Sequence, residues 1–147
     1  MHYISHRGNL EGPNPKFENS KNYIEKAIQS GFEVEIDVWF VKNQFFLGHD
    51  EPKDEVDKKF LLNNKLWCHA KNLKAFENLL TIKAHCFWHQ EDDFVLTNRG
   101  YIWTYPGKEI GSNSIIVMPE NIEKFNYANC SGICSDFIVA YKKKYEK

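Results

Sequence analysis

Phe32-Glu33-Val34-Glu35-Ile36-Asp37-Val38 is the stretch that decides the fold. Apolar and acidic residues alternate along it without a break, which is the two-residue period of a β-strand whose faces meet different surroundings. Phe32, Val34, Ile36 and Val38 make one face. Glu33, Glu35 and Asp37 make the other, and on an ordinary sheet an acidic face of this kind is the one in water. Upstream, Ser20 suits an N-cap, Tyr23, Ile24, Ala27 and Ile28 follow at helical spacing, and Gly31 suits the residue that ends a helix. Further upstream, Tyr3-Ile4-Ser5 predicts a short strand running into His6-Arg7-Gly8, while Gly12, Pro13 and Pro15 keep the segment after it irregular. Strand, helix and strand in succession open a parallel α/β arrangement.

The same rhythm continues downstream. Phe45-Phe46-Leu47 predicts a strand ending in Gly48-His49-Asp50, and Leu66-Trp67-Cys68 predicts another ending in His69-Ala70-Lys71. Leu73, Phe76, Leu79 and Leu80 have helical spacing, and His85-Cys86-Phe87-Trp88 reads as a strand ending in His89. Phe94 to Thr97 and Tyr101 to Tyr105 flank Asn98-Arg99-Gly100, a three-residue hairpin turn with Gly at the left-handed position. Ser114 to Met118 reads as a strand, Pro119-Glu120-Asn121 as a helix start, and Gly132 to Ser135 as a last strand ending in Asp136. No repeat or linker divides the chain, so residues 1–147 are expected to form a single domain.

At 147 residues with 42% hydrophobic positions, the chain is expected to be one soluble globular domain that buries roughly 68–70% of its unfolded surface. A full-sized (β/α)8 barrel usually needs about 250 residues. The 19 basic and 20 acidic residues leave a net charge of −1 and no field for gripping nucleic acid or an anionic membrane. Lys142-Lys143-Lys144 reads as a solvated tail. Cys68, Cys86, Cys130 and Cys134 lack Cys-x-x-Cys spacing, so reduced structural thiols are expected. With no signal-peptide layout at Met1 and no apolar run approaching the ~20 residues of a membrane span, a cytoplasmic protein is expected.

Chemistry concentrates at strand ends. His6-Arg7, Glu35 and Asp37, His49-Asp50, and His69 with Lys71 all fall where parallel strands present functional groups, at their C-terminal edge. Together they offer carboxylates for a divalent cation, imidazoles for proton transfer, and Arg and Lys for a phosphate. A single strand-end His is more often a surface or satisfied core group, and an isolated Glu/Asp pair on a strand is more often solvent-facing. Their joint occurrence at successive strand ends carries the weight.

These motifs resemble the glycerophosphodiester phosphodiesterase family, within the phospholipase-C-like phosphodiesterases. Ile4-Ser5-His6-Arg7-Gly8, Glu18-Asn19-Ser20, Ala27-Ile28, Gly31, Glu35-Ile36-Asp37-Val38 and Leu47-Gly48-His49-Asp50 follow the family's opening half in order. Gly132-Ile133-Cys134-Ser135-Asp136 looks like its closing strand. The resemblance implies a compact, shortened TIM-type (β/α) barrel with several helices reduced to loops. Helices of normal length are expected near Tyr23 to Gln29, Leu73 to Leu80 and Glu120 to Phe125. Strands without helices expose edges, so a homodimer that covers them is expected.

By the same resemblance His6 and His49 match the two catalytic histidines, Arg7 the phosphate-contacting arginine, and Glu35 and Asp37 two metal-binding carboxylates. Glu18 matches a glutamate near the site, with Ser20 in place of a threonine. Lys71 matches a phosphate-binding lysine. His69 departs from the pattern, standing where the family usually has a third carboxylate. A divalent ion, Mg2+ or Ca2+, is implied as cofactor, while an imidazole in place of an anion weakens both and favours softer metals. Asp92 or Asp93 is an alternative source of the missing carboxylate, and Trp67, Trp88, Trp103 and Tyr105 are candidates to line the mouth. The implied activity is metal-dependent cleavage of a small glycerophosphodiester-like substrate, with His6 and His49 sharing acid and base roles. The alternatives are a non-catalytic binder of a phosphorylated small molecule on the same scaffold, and a lyase releasing a cyclic phosphate. No nucleic-acid partner is expected.

Overall fold

The structure, a computed structural model, describes residues 1–123, 126, 127 and 129–146. It is a mixed α/β molecule whose ten strands join in one sheet, with four α-helices among the described residues. The strands are β1 (His2–His6), β2 (Glu33–Val41), β3 (Gln44–Leu47), β4 (Asp54–Val56), β5 (Leu66–Ala70), β6 (Cys86–Phe87), β7 (Phe94–Leu96), β8 (Ile102–Thr104), β9 (Ser114–Val117) and β10 (Gly132–Ser135). The helices are α1 (Lys21–Gln29), α2 (Lys58–Leu61), α3 (Leu73–Thr81) and α4 (Ile138–Tyr145).

Seven strands run parallel as neighbours in the order β6-β5-β2-β1-β10-β9-β8. β7 adds an antiparallel edge on β8, and β3 and β4 extend β2 as an antiparallel meander. The ladder does not close between β6 and the β7–β8 hairpin. Asn98 spans that seam: its N–H donates to the Cys86 carbonyl at 3.0 Å, its Oδ1 accepts from the Cys86 N–H at 2.9 Å, and its Nδ2 donates to the Ala84 carbonyl at 2.7 Å. The Phe87 and Trp103 rings meet across it with centroids 4.6 Å apart.

The alternation in β2 sorts its side chains between two cores. Val34, Ile36 and Val38 pack with Ile24 and Ala27 of α1 and Ala75 and Leu79 of α3. The opposite sheet face carries a second apolar cluster, with Ile4, Trp67, Phe87, Trp103, Ile115 and Cys134. Glu35 and Asp37 belong to that second face, and both are buried. The ordinary-sheet reading, in which the acidic face lies in water, therefore does not hold for Glu35 and Asp37. The helices claim the apolar side of the strand, while the second apolar cluster and the side chains of Arg7, His69 and Lys71 cover the acidic side.

Three local expectations also change. The segment Phe45 to Leu47 is not a further parallel strand but the return of a hairpin, because Lys42 and Asn43 both take positive φ (50° and 60°), the two-residue turn that reverses a strand tightly. Pro119–Asn121 forms a single 3-10 turn, and the rest of the helix expected to Phe125 reaches residues 124 and 125, outside the described residues. Lys142-Lys143-Lys144 lies inside α4, whose Ile138 is buried against Phe32 and Ile133 with Tyr141 and Tyr145 packed beside it. The four cysteines are free. No helix of the described residues is long and apolar enough to cross a membrane.

Candidate active site

His6 is the last residue of β1, and the chain turns immediately through Arg7 (φ 57°) and Gly8 (φ 96°). Gly8 suits this place twice over, because its φ is left-handed and a Cβ there would stand 2.5 Å from the Tyr23 ring. The Arg7 N–H donates to the Glu35 carbonyl at 2.9 Å, and its own carbonyl accepts from the Asn19 N–H at 3.1 Å. The turn is thereby tied to β2 on one side and to the loop before α1 on the other.

Glu35 and Asp37, two residues apart on β2, point the same way, and register places His69 opposite Asp37 on β5. His69 Nδ1 is 3.2 Å from Asp37 Oδ1 and 3.7 Å from Glu35 Oε1. The other Asp37 oxygen accepts from Asn19 Nδ2 at 2.8 Å and lies 3.1 Å from Arg7 Nε. Lys71 Nζ is 3.7 Å from Asp37 Oδ1. The Glu35 and Asp37 side chains are only 3% and 1% exposed, yet Glu35 Oε2 and Asp37 Oδ1 have no hydrogen-bond partner. Two buried, unsatisfied carboxylate oxygens are costly, and a cation is the partner that would offset them. Among the described residues, Glu35, Asp37 and His69 are the one group of potential metal ligands whose donor atoms converge, all within 4.8 Å of one another.

The surroundings separate the two acids. Burial and the neighbouring Asp37 charge push the Glu35 carboxyl up. Burial acts on Asp37 too, but His69, Arg7 and Lys71 outweigh it and hold that carboxyl far below the usual range. Burial likewise works against a charge on His6, but its Nδ1 contact to Asp136 Oδ1 (2.8 Å) and the Glu35 charge 3.9 Å from Nε2 prevail, raising its pKa. His89 stacks on His69 (centroids 4.5 Å, interplanar angle 5°), and burial and the His69 charge depress its pKa to about 4.

A cavity of about 340 Å³ opens over these groups, bordered by His6, Arg7, Glu35, His49, His69 and Lys71, with Trp88, Trp103 and Tyr105 in its wall. His6, Arg7, Glu35, His49, His69 and Lys71 thus line one space. Asp37 lies beneath it and is held by Arg7, Lys71 and His69. Glu18 accepts from Asn9 Nδ2 at 2.8 Å and from Arg7 at 3.5 Å, which makes it a brace for the Arg7 turn. His49 arrives differently from the other strand-end residues. The hairpin brings Leu47 back opposite Val38, the Gly48 N–H donates to the Asp37 carbonyl at 3.2 Å, and His49 then sits at the cavity rim, 43% exposed, with Nδ1 2.7 Å from Asp50 Oδ1. Gly48 (φ 149°) has no room for a Cβ, which would strike the Glu51 carbonyl.

Two alternatives raised by the sequence fall away. Asp92 and Asp93 are exposed, and Asp93 pairs with Lys108 at 2.9 Å, because the chain after His89 leaves the carboxylate cluster for the surface. Trp67 is buried near the other end of β5, donating to Glu33 Oε2 at 2.6 Å, so it lines no part of this mouth. Conversely, Asp136, Asn19, Asn9 and His89 were given no role from the sequence. Asp136 and His89 come just after strand ends, close to where His6 ends β1, and that position was the available signal. Asn19 offered none beyond its place beside Glu18, since its value lies in a fold-dependent contact with Asp37.

No protein-family model, curated protein or solved structure matches this chain.

Proposed function

We propose that the chain is a metal-assisted phosphodiesterase for a small glycerophosphodiester-like substrate, built on a shortened TIM-type barrel. The barrel reading is supported by seven consecutive parallel neighbours and by Asn98, Phe87 and Trp103 bridging the one unpaired seam. The observation that carries the function is the pair of buried oxygens on Glu35 and Asp37 without a hydrogen bond, beside His69 and under a cavity that also presents Arg7, Lys71 and His6. Such a site offers a cradle for one cation and two fixed positive charges for one phosphate.

Glu35, Asp37 and His69 are the residues that would hold a divalent ion, which when bound supplies charge neutralisation to the phosphoryl oxygens. Arg7 and Lys71 add fixed positive charge on the same side, aimed where negative charge builds in the transition state. Asp136 holds the His6 ring by Nδ1, leaving Nε2 toward Glu35 and the cavity, so His6 is the imidazole placed to move a proton at the reacting phosphate. His49, on the rim of the same cavity, would serve the other oxygen. Each positioned proton transfer contributes typically 10²–10⁴-fold.

Hydrolysis of glycerophosphodiesters by metal-loaded protein, followed by ³¹P NMR, tests this. The expected result is release of a phosphomonoester, with His6→Ala and His49→Ala each losing at least about 10²-fold while remaining folded. A cyclic phosphate as final product would make it a lyase. The exposure of His49, whose one hydrogen bond among the described residues is to Asp50, favours a second reading: a binder that holds a phosphodiester without turning it over. Calorimetric binding of the diester without turnover would select that reading.

A further inference from the structure

We propose that Glu35, Asp37 and His69 select a first-row transition-metal dication of the Fe2+ to Zn2+ series over Mg2+ and Ca2+, and that His69 sets this preference. The inference rests on the reading above only in taking the cluster to be a cation site.

The donor set carries it. Asp37 has one oxygen committed to Asn19 at 2.8 Å and close to Arg7 at 3.1 Å, so it can offer a cation only Oδ1. Ca2+ takes 6–8 oxygen ligands, and a carboxylate gripped from behind cannot widen to bidentate binding. The nitrogen is as well placed as the oxygens. His69 Nδ1 lies 3.2 Å from Asp37 Oδ1 and 3.7 Å from Glu35 Oε1, so an ion bridging the two acids meets the imidazole as its third ligand.

The His69 ring is not free to withdraw. It lies parallel to the Phe87 ring (5.1 Å, 7°) and to the His89 ring (4.5 Å, 5°), and turning away would break both stacks. Hard cations also depend on net negative charge, and here Arg7 and Lys71 already draw on Asp37. An imidazole–metal bond does not lose strength in the same way, and imidazole suits Zn, Cu, Fe and Ni while carboxylate and carbonyl suit Mg, Ca and Mn.

Metal-free protein is titrated calorimetrically with Mn2+, Co2+, Zn2+, Mg2+ and Ca2+, with Co2+ also followed by its visible absorption. Because Zn2+ outranks Mn2+ in almost any site, the deciding quantity is the change in the ratio of affinities when His69 is replaced. One Co2+ per chain is expected, with His69→Glu tightening Mg2+ and Ca2+ at least tenfold and weakening Co2+. If His69→Glu fails to fold, His69→Gln removes the nitrogen without adding charge, and should weaken Co2+ and Zn2+ at least tenfold with Mg2+ unchanged. Stoichiometric Mg2+ or Ca2+ binding as tight as Co2+, affinity ratios indifferent to His69, or no binding of any ion would overturn the proposal. No substrate is present in these titrations. Selective binding without phosphodiester turnover would therefore remove the phosphodiesterase reading alone, and turnover with ratios indifferent to His69 would remove this one alone.

Discussion

Asp37 spends its two oxygens on different tasks, and Asn19 makes that division possible. Asn19 Nδ2 donates to Asp37 Oδ2 at 2.8 Å while its Oδ1 accepts from the Asp37 N–H at 2.9 Å, so one side chain fixes both the carboxylate and its backbone. Asn19 also sits at φ 57°, a left-handed conformation that asparagine tolerates and alanine resists. Asn19→Ala is expected to cost about 1–3 kcal/mol for the buried groups left unpaired, plus backbone strain. Asn19→Gly relieves the strain and restores no hydrogen bond, so a destabilised glycine variant in denaturant unfolding assigns the loss to Asp37, whereas a glycine variant as stable as the parent assigns it to φ. Asp136 plays the corresponding part for His6. Asp136→Asn removes the charge that opposes burial, so the His6 pKa, read from its ring proton by NMR, should fall. On the proposed phosphodiesterase reading, turnover should also drop with the fold retained. An unmoved His6 titration would show that Asp136 does not set it.

The strand β2 shows how far element-level reasoning reaches. Its alternation made the strand legible and put Glu35 and Asp37 on one face of it, and the strand-end positions of His6 and His69 beside that face made their shared location legible. Which face is wet is a property of the neighbours, and nothing in residues 32–38 says what covers the acidic side. Helix α4 was hidden for a different reason: Ile138, Tyr141 and Tyr145 have helical spacing, but three lysines between them dominate a local reading of charge. The polar group at the other end of the strands was equally illegible. There Glu33 takes His2 Nδ1 at 2.8 Å and Trp67 Nε1 at 2.6 Å, while His85, buried under Trp67 and Tyr101, meets Thr97 Oγ1 at 3.0 Å. Burial, reinforced by the Arg99 charge, depresses the His85 pKa to about 4. The unfolded chain therefore binds this proton below about pH 6.5, while the folded chain refuses it until about pH 4. Stability is expected to fall with acidification across that window, by about 2–3 kcal/mol in all from this residue. Denaturant midpoints from pH 7 to 4 should show a shallower acid slope in His85→Gln than in the parent, and identical slopes would remove His85 as the cause.

At the scale of the molecule, the open question is how the sheet handles its ends. The β4 edge carries Asp54 and Glu55, charges that discourage pairing with another strand. The β7 edge instead exposes Phe94 (48%) and Leu96 (69%), so the homodimer expected from the sequence should pair this edge with its copy. Sedimentation should then give twice the 17.3 kDa chain mass, reverting to 17.3 kDa in Leu96→Lys. The seam between β6 and the β7–β8 hairpin is the more consequential end, because the cavity depends on it: His89 follows β6 on one side, Trp103 of β8 lies on the other, and both border the same space. What spans the seam is largely one side chain, since Asn98 supplies the acceptor for the Cys86 N–H and the donor for the Ala84 carbonyl, as a paired strand would. Asn98→Ala leaves the backbone bond to Cys86 intact and removes the other two, with an expected cost of about 1–3 kcal/mol. If those two bonds hold the sheet ends together, the Cys86 amide should lose hydrogen-exchange protection well before the amides of β1 and β2, and substrate affinity should weaken with it. If Phe87 against Trp103 holds them instead, Cys86 will stay protected and the loss will appear in Trp103→Ala, because the rings alone would then be closing the wall.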